Sequence, residues 1–171
     1  DVYKRQGYWL PNDYTKHGVI NEYTACREKA VVIDLSALRK FEILGPDAEE
    51  LMNYTLTRNV KKLSVGQIVY SAMCYENGTM FDDGTLLKLS DHGFRWVCGD
   101  EYGGEWLKEQ AKKKNYKVHI KNSTDQINNL SLQGPKSRKI LEKIIFTPPT
   151  QPSISELEWF RFSICRLEEL N

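Results

Sequence analysis

Two Gly-Pro steps set the frame of this chain. Gly45-Pro46 follows the run KFEIL and precedes DAEELMNYTL, and Gly134-Pro135, 89 residues later, follows NNLSLQ and precedes KSRKILEKI. Each break closes a short apolar strand and opens an amphipathic helix, with the proline in the first turn, where its missing N–H costs nothing. Asp47, Glu49 and Glu50 suit the positive end of the first helix dipole. This internal repeat predicts helices over residues 46 to about 55 and 135 to about 144.

Between the two breaks the grammar changes to hairpins. IVYSAMCY and TLLKL flank Asn77-Gly78, a two-residue hairpin signal whose type I′ form needs positive φ at both positions. The spacing predicts strands over Gln67 to Glu76 and Thr85 to Leu89, then FRWVCG after the Asp91-His92-Gly93 turn, a helix from Tyr102 to Lys114, and a strand at YKVHI. Upstream, INEYTACREK reads as a helix and VVI as a strand. Helices interleaved with antiparallel hairpins argue for an α+β fold rather than a doubly wound sheet. Just past the turn stand two adjacent carboxylates, Asp82 and Asp83. Aspartate is disfavoured in strands, so the pair costs local stability unless something uses it. Adjacent strand residues point to opposite faces, so one member at most looks into any given cavity. The plain structural alternative is a turn aspartate that accepts backbone N–H groups.

Composition narrows the function classes. Of 171 residues, 40% are hydrophobic, enough for a real core, and no apolar run approaches the roughly 20 residues of a membrane span. With 24 Lys+Arg against 23 Asp+Glu the net charge is +1, which gives no electrostatic footprint for nucleic acid or an anionic membrane. Cys26, Cys74, Cys98 and Cys165 are widely spaced without a CxxC, and His17, His92 and His119 are scattered. A zinc site or nucleophile–base pair is therefore not expected; buried free thiols in a cytoplasmic protein are. Residues 1–6, DVYKRQ, match nothing that follows and are set aside as an artefact or as disordered. FTPPTQPS, 146–153, reads as a proline-rich connector, so residues 148–171 are expected to form a linker and the start of a truncated second module.

In this order and spacing, several segments carry a family resemblance: DLS after the first helix, GPDA, VGQ with Tyr70 three residues beyond Gln67, the hairpin with its aspartates, and LQGP. From about Glu22 to Ile145 the chain resembles the folate-binding region of the glycine cleavage T-protein (aminomethyltransferase) family. That family includes the folate domains of sarcosine and dimethylglycine dehydrogenases and dimethylsulfoniopropionate demethylase.

The resemblance implies a folate-binding domain over residues 7–147 and a tetrahydrofolate-dependent aminomethyl or methyl transferase or demethylase. The donor would be a small amine, sulfonium compound or methyl ether, with a lipoyl carrier protein as partner in a glycine-cleavage member. The second aspartate of the pair, Asp83, maps onto the family's catalytic and cofactor-facing carboxylate, which orients the donor and steadies developing positive charge. Tyr70 and Met80 are read as folate contacts or as core residues, and Gln133 as a bond to the pterin edge or a cap for the helix below it. Gly84 stands where relatives have an aliphatic residue or proline, and Gly99-Asp100 where glycine-cleavage members have Asn-Ala, which turns the expectation toward the demethylase branches. The family's later arginine- and glutamate-bearing folate segment lies beyond Asn171, so the fragment itself is expected to bind folate poorly. The alternative is a non-catalytic folate-binding protein of the iron–sulfur maintenance type.

Overall fold

The computed structural model of the protein describes residues 2–5, 7–14 and 16–167. In chain order its elements are β1 (Val2–Arg5), β2 (Tyr8–Pro11), α1 (Gly18–Glu28), β3 (Val31–Asp34), β4 (Arg39–Leu44), α2 (Ala48–Thr55), β5 (Ile68–Cys74), β6 (Met80–Ser90), β7 (Gly93–Cys98), α3 (Tyr102–Lys114), β8 (His119–Asn122), β9 (Leu130–Gln133), α4 (Ser137–Ile144), β10 (Ile145–Phe146) and β11 (Arg166–Leu167). The strands pair antiparallel throughout, and helices are interleaved with them, as the α+β reading requires. Two compact units divide the chain, and both are discontinuous. One takes the residues up to Ala37 with 128–157 and 163 onward; the other takes 38–127 and 158–162.

The unit built on residues 38–127 holds a five-stranded sheet in the order β5-β6-β7-β4-β8. Strand alternation explains its core. Val69, Ser71 and Met73 of β5, Leu86 and Lys88 of β6, Phe94, Trp96 and Cys98 of β7, and Phe41 and Ile43 of β4 are all buried and share one face. Leu51 and Met52 of α2 and Leu107 of α3 complete the cluster, each fully buried. Each such side chain contributes about 1.5–3 kcal/mol in apolar surface removed from water. Among the described residues, every buried hydrophobic residue except Ala37 belongs to this unit.

The other unit is a set of two-stranded ribbons with two helices. In it β3 pairs with β9, from Val31↔Gln133 to Asp34↔Leu130. Residues 1–6, set aside on sequence, include a strand: Val2–Arg5 forms β1 and pairs with β2 from Val2↔Pro11 to Arg5↔Tyr8. Gly7, with φ 90°, lies in the turn between the two strands.

Within each unit one Gly-Pro step does the same backbone work. Gly45 has φ 136° and Gly134 φ 121°. A Cβ on Gly45 would stand 2.4 Å from the Lys117 carbonyl oxygen, and one on Gly134 would stand 2.7 Å from that of Lys29. In both, the N–H three residues on, Ala48 or Ser137, returns to the glycine carbonyl (3.1 Å each) and starts an eight-residue helix. Glycine is required twice over, by torsion and by close backbone approach. The prolines lie in the turn ahead of each helix rather than inside its first turn.

One expectation changes. The Asn77 hairpin is not type I′, because among the described residues only Asn115 and Phe160 are non-glycines with positive φ. Tyr75 N–H bonds the Thr79 carbonyl (2.9 Å) and Gly78 N–H the Tyr75 carbonyl (2.9 Å), which is a three-residue loop closed by left-handed Gly78 (φ 85°). Beyond Pro148, Phe160–Phe162 lie along the β5 side. Ile68 N–H bonds the Phe160 carbonyl (2.8 Å), and Phe162 N–H bonds that of Gly66 (3.1 Å). β10 and β11 form a further two-residue ladder. The prolines bar pairing only locally; the residues beyond them supply ordinary donors and acceptors.

Candidate functional site

The longer loop moves the aspartates into the strand. β6 begins at Met80, and its register with β5 slips by one residue, pairing Cys74 with Met80 but Met73 with Asp82. Phe81 is therefore bulged. A bulge lets both of its residues face the same way, and Phe81 packs at 4.9 Å from Tyr75, 5.6 Å from Trp106 and 5.8 Å from Tyr102, on the core side. Asp82, opposite buried Met73, shares that side; Met80 and Asp83 share the other, with Tyr70, Ala72 and Thr85.

The two carboxylates consequently live differently. Asp82 Oδ1 accepts Asp83 N–H (2.9 Å) and Oδ2 accepts Asp100 N–H (3.0 Å). Asp100 Oδ1 in turn takes the Tyr102 N–H at the start of α3 (2.8 Å). Asp82 is thus the turn-type acceptor, tying β6 to the β7–α3 connection. It also stands beside the Cys98 thiol, whose pKa is pushed well up, first by burial and then by the Asp82 charge. Asp83, half-buried, accepts one side-chain bond, from the Tyr70 hydroxyl to Oδ2. That bond, ahead of the lesser cost of burial, raises the Tyr70 pKa above the ordinary tyrosine value.

Of the residues nominated on sequence, Asp83 and Tyr70 are in direct contact, and Met80 lies on their face. Tyr70 and Met80 are 52% and 57% exposed, which excludes the core alternative for both. Gln133 belongs to the other unit, on β9, exposed, with Nε2 bonded to Ser131 Oγ (2.9 Å). The capping alternative fails, since Lys136 is the N-cap of α4 and no side chain caps it.

Both departures from the family pattern have local causes. A Cβ on Gly84 would stand 2.2 Å from the Val97 carbonyl oxygen and 3.0 Å from the Trp96 ring, so β6 lies against β7 only with glycine there. Asp100 supplies the N–H that Asp82 accepts and the carboxylate that Tyr102 N–H needs.

Sequence reasoning missed two features of this unit. Glu42 pairs with Arg95 (Oε1 to Nε, 2.6 Å) and takes the Ser123 hydroxyl (2.9 Å); the register Glu42↔Arg95↔Leu87 puts this pair on the face of Asp83. The alternation of FRWVC predicts that Arg95 opposes Phe94 and Trp96, but nothing local names its partner, 53 residues away in sequence. The second is an open cavity of about 600 Å³ against β5, lined by Arg58, Lys62 and Gln67 with Tyr70, Trp159 and Phe160 among others.

The family model described as the GCVT N-terminal domain matches residues 1–170. This chain belongs to that family. Among GCVT relatives, the chain is 54% identical over 161 residues to trimethylamine-oxide aldolase of Ruegeria pomeroyi, covering 94% of this chain and 20% of that protein. It is 34% identical over 157 residues to an aminomethyltransferase of Alkaliphilus metalliredigens, covering 90% and 40%. The crystal structure of glycine cleavage system aminomethyltransferase T from Bartonella henselae superposes with TM-score 0.73 at 25% identity, over 84% of this chain and 39% of that one. The chain thus spans between one fifth and two fifths of these three relatives. No helix among the described residues is long and apolar enough to cross a membrane.

Proposed function

We propose that this chain is part of a tetrahydrofolate-dependent one-carbon transferase in which Asp83 is the carboxylate that faces the transferred unit. The observation that carries the reading is the division of labour at the pair: both Asp82 oxygens are taken by backbone N–H groups, whereas Asp83 keeps Oδ1 on the open face beside Tyr70 and Met80. These residues suit a pterin. A carboxylate can accept from its amino-pyrimidine edge, and an exposed phenol and thioether offer flat apolar contact. Bound there, tetrahydrofolate would supply ring nitrogens that accept a one-carbon unit.

The chain's own residues do the rest. Tyr70 fixes the Asp83 carboxylate through Oδ2, leaving Oδ1 to hold a proton or steady positive charge as a carbon–nitrogen bond forms. The enzymatic names of the relatives favour this over a non-catalytic folate-binding role. For the donor, the relative named for trimethylamine oxide supports an N-methyl compound: an aldolase acting on it can release only a one-carbon aldehyde, and tetrahydrofolate is a one-carbon acceptor. Four free cysteines support a reducing, cytoplasmic setting, although Cys98 alone is fully buried and Cys165 is exposed.

The test is a donor panel on the full-length protein with tetrahydrofolate: trimethylamine oxide, formaldehyde, sarcosine, a sulfonium compound and an aminomethylated lipoyl carrier. Folate-linked one-carbon product from trimethylamine oxide, or from formaldehyde at a rate above its uncatalysed condensation with tetrahydrofolate, supports the reading. Product from the lipoyl carrier alone overturns the donor, and absence of tetrahydrofolate binding overturns the whole.

A further inference from the structure

The chain from Gln151 to Ile164 closes on itself. At its base the Ser163 hydroxyl donates to the Pro152 carbonyl, and Ile164 N–H donates to Gln151 Oε1 (3.3 Å). The Arg138 guanidinium donates to the carbonyls of Ile154, Ser155 (3.2 Å) and Leu157 (3.3 Å), which fixes the ascending arm. A surface loop of this length with joined ends is an Ω-loop, a shape that frequently carries function.

The tip is held differently. Arg161 N–H returns to the Glu158 carbonyl (3.2 Å), closing a turn whose third residue is Phe160. Phe160 has φ 54°, a torsion that glycine or asparagine fills in ordinary turns. Among the described residues, three hydrogen bonds dock the tip at the start of β5: Ile68 N–H to the Phe160 carbonyl (2.8 Å), Phe162 N–H to the Gly66 carbonyl (3.1 Å) and Arg161 Nη1 to Ser64 Oγ (2.8 Å). Trp159 is 88% exposed and Phe160 38%, so little apolar burial adds to them. A positive φ at a bulky residue works against them.

We propose that residues 158–162 are a lid that docks on the edge of β5 and leaves it as one unit while the five-stranded sheet stays folded. β5 is an edge strand of that sheet, and a segment held on an edge by few bonds and little burial belongs to the low-stability end of a fold. Trp159 and Phe160 wall the cavity of about 600 Å³ that Tyr70 also lines. Undocking removes that wall and opens the β5 face at Tyr70, whose hydroxyl is held on Asp83. The closed base keeps the tip near its seat, so redocking closes only a short loop. The lid stands apart from the one-carbon reading, because neither its bonds nor its opening involves a ligand.

Amide hydrogen exchange on the full chain, followed residue by residue by NMR, tests it. The Ile68 and Phe162 amides find their acceptors through docking. Their protection should agree within about threefold, exceed that of an unstructured peptide at least about tenfold, and fall at least about 10²-fold below that of Leu86 and Trp96 in the central strands. Gln67 and Arg161 face each other between the two docking bonds. That is the non-hydrogen-bonded antiparallel pairing, with Cα atoms about 4.5 Å apart and within disulfide range. Gln67→Cys/Arg161→Cys, combined with Cys165→Ser to remove an exposed thiol, locks the lid when oxidised and frees it when reduced. Exchange at Ile68 and Phe162 should be at least about tenfold slower in the oxidised form, with Leu86 and Trp96 protected in both states. Protection at the two amides equal to that of the central strands, no protection at either, or unequal protection of the two overturns the lid. So does a disulfide that fails to form, or exchange that is indifferent to it.

Discussion

Replacing Asp82 with alanine removes the acceptor of two backbone N–H groups at once, those of Asp83 (2.9 Å) and Asp100 (3.0 Å). A hydrogen bond to a charged group contributes about 1.5–3 kcal/mol when well buried. Asp82 is half-buried and Asp100 exposed, so water recovers part of each bond, and about 1 kcal/mol apiece is the fitting figure. The sum, about 2 kcal/mol, corresponds to a fall in Tm of about 4–8 °C for a chain of this length. Asp82→Asn should lie close behind, because an amide keeps one acceptor but turns an NH₂ toward a backbone donor. Asp83→Ala, which removes only the bond from a 52% exposed tyrosine, should shift Tm by less than about 2 °C. Thermal unfolding followed by circular dichroism on the three variants reads the contrast. Equal destabilisation by Asp82→Ala and Asp83→Ala would refute the division of the pair into a structural and a free carboxylate.

Lys88 is 8% exposed in its side chain and matched by Glu49 at 2.5 Å. Glu49→Gln should therefore cost more, about 3 kcal/mol, than Lys88→Met, which removes the buried charge itself; chemical denaturation of both variants checks the order. Gly134→Ala should destabilise by more than about 2 kcal/mol, since φ 121° and the Lys29 carbonyl at 2.7 Å both oppose a Cβ; Gly7→Ala, with open space around it, should cost less in the same denaturation series. Tyr70 titrates above the usual tyrosine value because its proton is held on Asp83. Its hydroxyl bond is lost as pH climbs through the raised folded value; Tyr102 is raised too, by burial, so tyrosinate absorbance should show one fewer late-titrating residue in Tyr70→Phe than in the native chain.

Much of the frame was legible because it is local. The two Gly-Pro breaks, the helix over Tyr102–Lys114 and the strand content of 68–74 and 93–98 follow from turn chemistry and alternation. The opposition of Asp82 and Asp83 follows from the two-residue period of a strand. What escaped was set at a distance. The choice of a three-residue loop over type I′, the bulge at Phe81 and the return of Phe160–Phe162 to Gly66–Ile68 depend on register, which no short window specifies. The family pattern pointed to Asp83, but the partner that makes it distinctive, the Tyr70 hydroxyl, is thirteen residues away on the neighbouring strand.

The most direct test of the central claim is the single-turnover rate of one-carbon transfer to tetrahydrofolate in the full-length protein, for the native enzyme, Asp83→Asn and Asp82→Asn. The account predicts a fall of about 10²-fold to 10³-fold for Asp83→Asn, with tetrahydrofolate affinity changed far less, and a much smaller fall for Asp82→Asn at a temperature where it stays folded. Near-native transfer by Asp83→Asn, or a larger loss in Asp82→Asn, would contradict it.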